Sequence, residues 1–198
     1  MKRKGYFICI EGLDKSGKTS QSILLVEALC RKGFDAVYTT EPSNGEIGRF
    51  IRKYILHRKD RVSPIVEALL FAADRADHVE NEIKPLLDDG KIVVSDRYVY
   101  SSLAYQGAAG LSLDWIEAIN KHVLRPDLAI YIDVSVENLV KRYGKEKSVM
   151  EQFETQKKVK RIYNSLVKEE KLIPVNGEQS IESAANEILT IVLNHLKD

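Results

Sequence analysis

The stretch Gly12-Leu13-Asp14-Lys15-Ser16-Gly17-Lys18-Thr19 fits the pattern G-x-x-x-x-G-K-[ST], and it stands between an apolar run, Tyr6 to Ile10, and a helix-like segment beginning near Gly17. Each fixed position has a use in holding a polyphosphate. Gly12 and Gly17 let the backbone turn so that successive N–H groups point inward. Lys18 can reach the β- and γ-phosphates, and Thr19 can offer its hydroxyl to Mg²⁺. A glycine-rich turn with a solvated lysine is the bland alternative. The strand before and the helix after favour a nucleoside triphosphate site.

Three further groupings carry chemistry. Ser95-Asp96-Arg97-Tyr98 closes another apolar run, so an acid and an arginine stand at a strand end. Asp96 can hold Mg²⁺ through water, and Arg97 offers a planar fork of donors to a phosphate in transfer. Phe71 and Arg75 are four apart and share a helix face. The ring could stack on a pyrimidine while the guanidinium donates to a carbonyl such as O4, where cytosine presents an amino donor instead. The competing reading makes Phe71 core and pairs Arg75 with a carboxylate such as Asp74 or Asp77. In Tyr98 to Gly107, Ser101 and Gln106 can each donate and accept, which suits the N3–H and carbonyl edge of thymine or uracil.

These residues need a scaffold to bring them together. Apolar, β-rich runs recur at Ala36 to Thr39, Ile92 to Ser95, Leu128 to Ile132 and Leu172 to Val175. They are continuous rather than alternating, as in strands buried on both faces. Helical segments separate them. Leu25, Val26 and Leu29 stand at core spacing, and Ser63-Pro64 makes a cap with proline at the first helical position. Ile181, Ala184, Ala185, Ile188, Ile191 and Val192 form one stripe behind a Ser180 cap. Alternation of strand and helix predicts an α/β fold: a five-stranded, parallel, doubly wound sheet with ligands at the carboxyl ends of its strands. The charged stretch Lys141 to Lys160, interrupted near Gly144, reads either as a solvated helix face with a turn or as a short lid, around 141–155, carrying cations over the phosphates.

The chain has 198 residues, enough for one domain with a real core, with 44% hydrophobic and 30% charged residues. Its 30 basic and 29 acidic residues leave a net charge of +1, so no global field favours nucleic acid or membrane. Cys9 and Cys30 have no metal-like spacing and are expected to be reduced core thiols. No apolar run approaches a membrane span, and a cytoplasmic location is the default expectation.

Taken together, Glu11 to Thr19, Phe71-Ala72-Ala73-Asp74-Arg75, Asp96-Arg97-Tyr98 and Ala104-Tyr105-Gln106-Gly107 resemble the thymidylate kinase family, in order and over nearly the whole chain. The resemblance implies transfer of the γ-phosphate of ATP to dTMP, with Mg²⁺, by a cytoplasmic homodimer. It implies that Phe71 stacks on thymine, that Arg75 reaches O4, that Ser101 and Gln106 lie near N3, and that Asp14 accepts the sugar 3′-hydroxyl. Arg97 would bridge the two phosphates. Arg142 resembles the arginine lying against adenine, and Asn176-Gly177 the loop on that base's other side. Three positions depart from the family pattern. The arginine often found near Glu41-Pro42 is missing, leaving Arg49 or Arg52 as substitutes. The catalytic arginine of the P-loop or lid is replaced by Lys15, Lys145 or Lys147, point charges without a bidentate fork. The tyrosine that packs on the sugar has no match in Lys147-Ser148-Val149-Met150, and Tyr105 is the candidate for its work. Two rivals stay open: a deoxynucleoside kinase, which needs a carboxylate base such as Asp96 or Glu41, and a non-catalytic nucleotide-binding regulator.

Overall fold

All five apolar runs are strands: β1 Tyr6–Gly12, β2 Ala36–Thr40, β3 Ile92–Asp96, β4 Leu128–Asp133 and β5 Ile173–Asn176. The computed structural model describes residues 5–56, 62–143 and 149–197, with backbone alone for 140–143 and 149–152. The strands form one parallel sheet in the order β2-β3-β1-β4-β5. Burial follows that order. The three inner strands are almost continuously buried, whereas β2 and β5 at the edges alternate between buried and partly exposed positions.

The helices are α1 Lys18–Arg31, α2 Glu46–Ile51, α3 Pro64–His78, α4 Lys84–Asp88, α5 Val99–Ala108, α6 Leu113–Ile119, α7 Val136–Tyr143, α8 Val149–Lys168 and α9 Ile181–His195. α1 packs against α9, and α5 against α8. Local signals account for several starts. Ser63 accepts from the Val66 amide with Pro64 at the first helical position, and Ser180 accepts from the Ser183 amide. Between α3 and α4 the helix widens into a π-turn, Val79–Ile83, a deformation common where a helix serves a site.

Two expectations are corrected. Cys9 is buried in β1, but Cys30 is exposed, because the buried stripe of α1 runs through Leu25 and Leu29 and leaves Cys30 on the outer face. Ile181 is 63% exposed, so the core stripe of α9 is Ala184, Ile188 and Val192. The charged stretch lies largely on helix: α7 runs to Tyr143, and α8, from Val149, buries Gln156, Val159, Tyr163 and Leu166 along one face. No helix among the described residues is long and apolar enough to cross a membrane.

β1 pairs with β3 on one side and β4 on the other, so the connections diverge at its carboxyl end and open a crevice there. The turn after β2 forms one wall. Arg52 donates to the carbonyls of Pro42 and Ser43, and Asp74 accepts from the Ser43 amide at 2.7 Å and its hydroxyl at 2.6 Å. α2 docks on this turn through Gly48, where a Cβ would lie 2.0 Å from the Ser43 carbonyl oxygen and 2.5 Å from its nitrogen. Neither backbone atom can move aside as a flexible side chain would. Gly48→Ala is therefore expected to destabilise the protein by about 1–3 kcal/mol, read as a lowered midpoint in urea.

Candidate active site

The P-loop turns directly out of β1. A Cβ on Gly12 would sit 2.7 Å from Ser16 Oγ and 3.0 Å from the Ile132 carbonyl oxygen, so only glycine fits there. Gly17 has φ 101° and precedes α1 with no side chain capping the helix, which leaves the first amides of α1 open to an anion. The Ser16 hydroxyl is buried without a partner among the described residues. Lys18 is buried and donates to the Leu13 carbonyl at 2.5 Å. Lys15 adopts a left-handed backbone, φ 61°, and its residue is exposed.

Beside this loop lies a cavity of about 580 Å³. Asp14, Phe71, Arg75, Arg97, Ser101, Tyr105 and Gln106, drawn from the P-loop, α3, the turn after β3 and α5, all line it. The parallel register explains the convergence: Ile10 pairs with Asp96, so the P-loop and the Asp96-Arg97 turn leave the sheet at the same height. Thr19 Oγ1 donates to Asp96 Oδ2, while Asp96 Oδ1 is buried without a hydrogen-bond partner among the described residues. Arg97 adopts a left-handed backbone, φ 74°. Its guanidinium donates to Asp14 and, at 3.0 Å, to Ser101 Oγ, and lies 5.1 Å from the Tyr105 ring centroid.

Arg75 is 1% exposed and deeply engaged. It donates to Glu41 Oε2 from Nε at 2.9 Å and Nη2 at 2.7 Å, to Asn120 Oδ1 at 2.6 Å and to Ser102 Oγ at 3.0 Å. Its carboxylate partner is thus Glu41 rather than Asp74 or Asp77, because α3 turns those two away and the turn after β2 brings Glu41 in. One N–H on Nη1 keeps no partner among the described residues. Gln106 donates to Glu67 at 3.2 Å, and its Oε1 is buried without a partner among the described residues.

Not every expected residue joins the cavity. Asn176 ends β5 beside Asp133, accepts from the Glu178 amide and stands two strands from the P-loop. The backbone of Arg142 lies in α7, but its side chain, Lys145 and Lys147 lie outside the described residues. Arg52 is spent on backbone carbonyls, Arg49 is exposed, and neither lines the cavity. Several lining or supporting residues went unread in sequence. Ser102, Glu67, Gln156 and Thr155 line the cavity, and Asn120, Glu11 and Tyr163 brace it from below. Only Glu11 carried a signal, its place directly before the motif.

The charges are strongly coupled. Burial works against ionising Asp14, yet Arg97 and Lys18 hold its carboxyl below the ordinary value. His78, buried beneath the cavity, accepts or donates at 2.7 Å to Thr39 Oγ1 and faces Glu41 and Glu82. Burial opposes its charge, but hydrogen bonds to those carboxylates raise its pKa to about 9. Burial and repulsion from Arg97 push Lys18 down to about 7, only partly offset by Asp14, Asp96 and Glu11. A polyphosphate beside Lys18 would restore its proton, so the bound pKa lies above the free one. Triphosphate affinity is then expected to fall as pH rises above 7, by up to about tenfold per unit. Titration calorimetry at pH 8 in buffers of different ionisation enthalpy should detect proton uptake that Lys18→Met abolishes.

Comparison with known proteins gives the same reading. The thymidylate kinase family model matches residues 10–188. The probable thymidylate kinase of Pyrococcus abyssi is 44% identical over 204 residues, covering 98% of each chain. That of Pyrococcus horikoshii is 43% identical over 205 residues, again with 98% of each covered. The thymidylate kinase of Thermoanaerobacter sp. is 36% identical over 202 residues, covering 98% of this chain and all of the relative. With a P-loop, a strand-end arginine and the cavity beside them in one crevice, the chain belongs to the thymidylate kinase family.

Proposed function

We propose that the chain transfers the γ-phosphate of ATP to dTMP, giving dTDP and ADP, with the cavity beside the P-loop as the dTMP site. The carrying observation is that one cavity, walled by Phe71, is lined both by Arg75, a fork of donors, and by Gln106, whose buried Oε1 has no partner among the described residues. An imide edge, N3–H beside a C4 carbonyl, complements that pair. Cytosine reverses it, with an unprotonated N3 and an amino group, and each mismatch buries an unsatisfied polar group. Phe71 stacks on the base, Asp14 accepts the 3′-hydroxyl, and Tyr105 packs beside the sugar and Arg97.

In the reaction a 5′-phosphate oxygen attacks the γ-phosphorus while the bond to the β-phosphate oxygen breaks. The attacking group is already anionic, so no general base is needed. This disfavours the deoxynucleoside kinase reading, since Glu41 is bound to Arg75 rather than free to take a proton. Catalysis rests on position and charge: the amides of Gly12 to Thr19 cradle the donor, Lys18 spans its outer phosphates, and Arg97 bridges donor and acceptor. Thr19 and Asp96, whose Oδ1 has no hydrogen-bond partner among the described residues, make a hard-oxygen pair fitted to Mg²⁺, partly through water. When bound there, Mg²⁺ supplies charge neutralisation to the phosphate oxygens. Adenine lies between Arg142 and Asn176. Lys15 adds to the cationic surround within a single catalytic domain; the other candidates for it, Lys145 and Lys147 of the expected lid, lie outside the described residues. Arg97→Ala is expected to cut turnover at least 10²-fold, about 3 kcal/mol of transition-state stabilisation, in a coupled ADP-release assay. In the same assay dTMP should exceed dCMP and thymidine by orders of magnitude; preference for thymidine would overturn the assignment.

We also infer a homodimer. Ile65, Val66 and Leu69 on α3, with Phe50 on α2 and Tyr54 just after it, are 44–52% exposed, an apolar surface suited to a second copy of itself. Leu69→Glu should shift the mass measured by light scattering from dimer to monomer.

A further inference from the structure

Glu11 is a fully buried carboxylate that does not itself line the cavity, yet it gathers four donors from behind its wall. Oε1 accepts from the amides of Tyr98 at 2.8 Å and Ser101 at 3.1 Å; Oε2 accepts from Ser101 Oγ at 2.6 Å and Tyr163 Oη at 2.9 Å. It therefore caps α5 from outside the helix, where Tyr98 supplies no side-chain cap. The same contacts bracket Arg97, a non-glycine residue at φ 74°. The Arg97 amide bonds to the Ile10 carbonyl at 3.0 Å and the next amide, Tyr98, bonds to Glu11. Two consecutive residues of β1 thus clamp the strained backbone from either side.

The side chain of Arg97 is set by the same group. Because the Ser101 hydroxyl gives its proton to Glu11, its oxygen is left to accept from Arg97 Nη1 at 3.0 Å. Tyr163 Oη lies 3.2 Å from Ser101 Oγ and is held by a ring stack on Tyr131, centroids 4.8 Å apart. Tyr163 sits on α8, whose first turns contribute Thr155 and Gln156 to the cavity, and Gln156 donates to Asp14 at 3.3 Å.

We propose that Glu11 and Tyr163 are positioning residues that fix the backbone and guanidinium of Arg97 through Ser101, so that the placement of α8 governs the alignment of the phosphate-bridging arginine. This rests on the reading of Arg97 given above. A carboxylate is needed at position 11 because only an acceptor at both oxygens can serve two amides and two hydroxyls together. Tyr163 is needed for its hydroxyl rather than its ring.

Steady-state kinetics of the full chain test this with Tyr163→Phe, which keeps the stack on Tyr131, and Glu11→Gln, which keeps the shape. Tyr163→Phe is expected to lower kcat about tenfold with KM for dTMP and ATP within about threefold. Glu11→Gln should lower it further, about 30-fold or more. In an Arg97→Ala background the Tyr163→Phe loss should shrink to under about twofold, since the residue it aligns is gone. Unchanged kcat in Tyr163→Phe, or a full tenfold loss on top of Arg97→Ala, overturns the proposal. If Arg97→Ala itself retains a near-normal rate, the reading of Arg97 fails instead. Should Glu11→Gln not fold, the Tyr163→Phe cycle alone decides.

Discussion

The register of β1 against β3 is the constraint on which everything else here depends. Ile10 faces Asp96 across the parallel ladder, and Gly12 faces Ile132 on the other side. A slip of one residue would shift Asp96 by about 3.3 Å along the strand and turn it to the opposite face of the sheet. Thr19 would then lose Asp96, and Arg97 would lose both Asp14 and the Ile10 carbonyl. Buried apolar side chains on both faces of β1 and β3 hold that register, so the hydrophobic core sets the position of the charged site directly.

Around that fixed point the molecule concentrates ion pairs that are costly to bury. Arg75 and Glu41 line the cavity with His78 behind them, and Glu82 closes the chain from the π-turn after α3. Such groups repay their desolvation only when each lone pair and proton is used, and Arg75 spends donors on Glu41, Asn120 and Ser102. Their benefit is orientation: the Arg75 guanidinium is held in one pose at the cavity wall. Exposed pairs such as Lys84 with Glu80 have no comparable constraint and contribute little.

Much of this was legible from residue order. The P-loop could be read because its glycines are required by backbone geometry at fixed spacing, and the strands because burial on both faces forces continuous apolar runs. Phe71 and Arg75 were readable because a helix places positions four apart on one face. Cys30 and Ile181 were misread as core because a stripe reads clearly at its centre and poorly at its margins, where one helical step of 100° moves a residue into solvent. The partner of Arg75 was hidden for another reason: Glu41 is 34 residues away and arrives on a different element.

By itself the sequence determined the chemistry on offer: a phosphate cradle, a strand-end arginine, an aromatic ring with a donor fork, and an alternating α/β order that had to place them at one sheet edge. Those follow from local rules, the preferences of backbone dihedrals and the periods of helix and strand. Only the tertiary structure decided how the groups are shared. It assigned Glu41 to Arg75, spent Arg52 on the turn after β2, and drew Glu11 and Tyr163, 152 residues apart, onto one hydroxyl beside Arg97. Hydrogen-bond donors and acceptors in a low-dielectric interior must be matched across whatever elements the packing brings together, and that matching is a property of the folded chain as a whole.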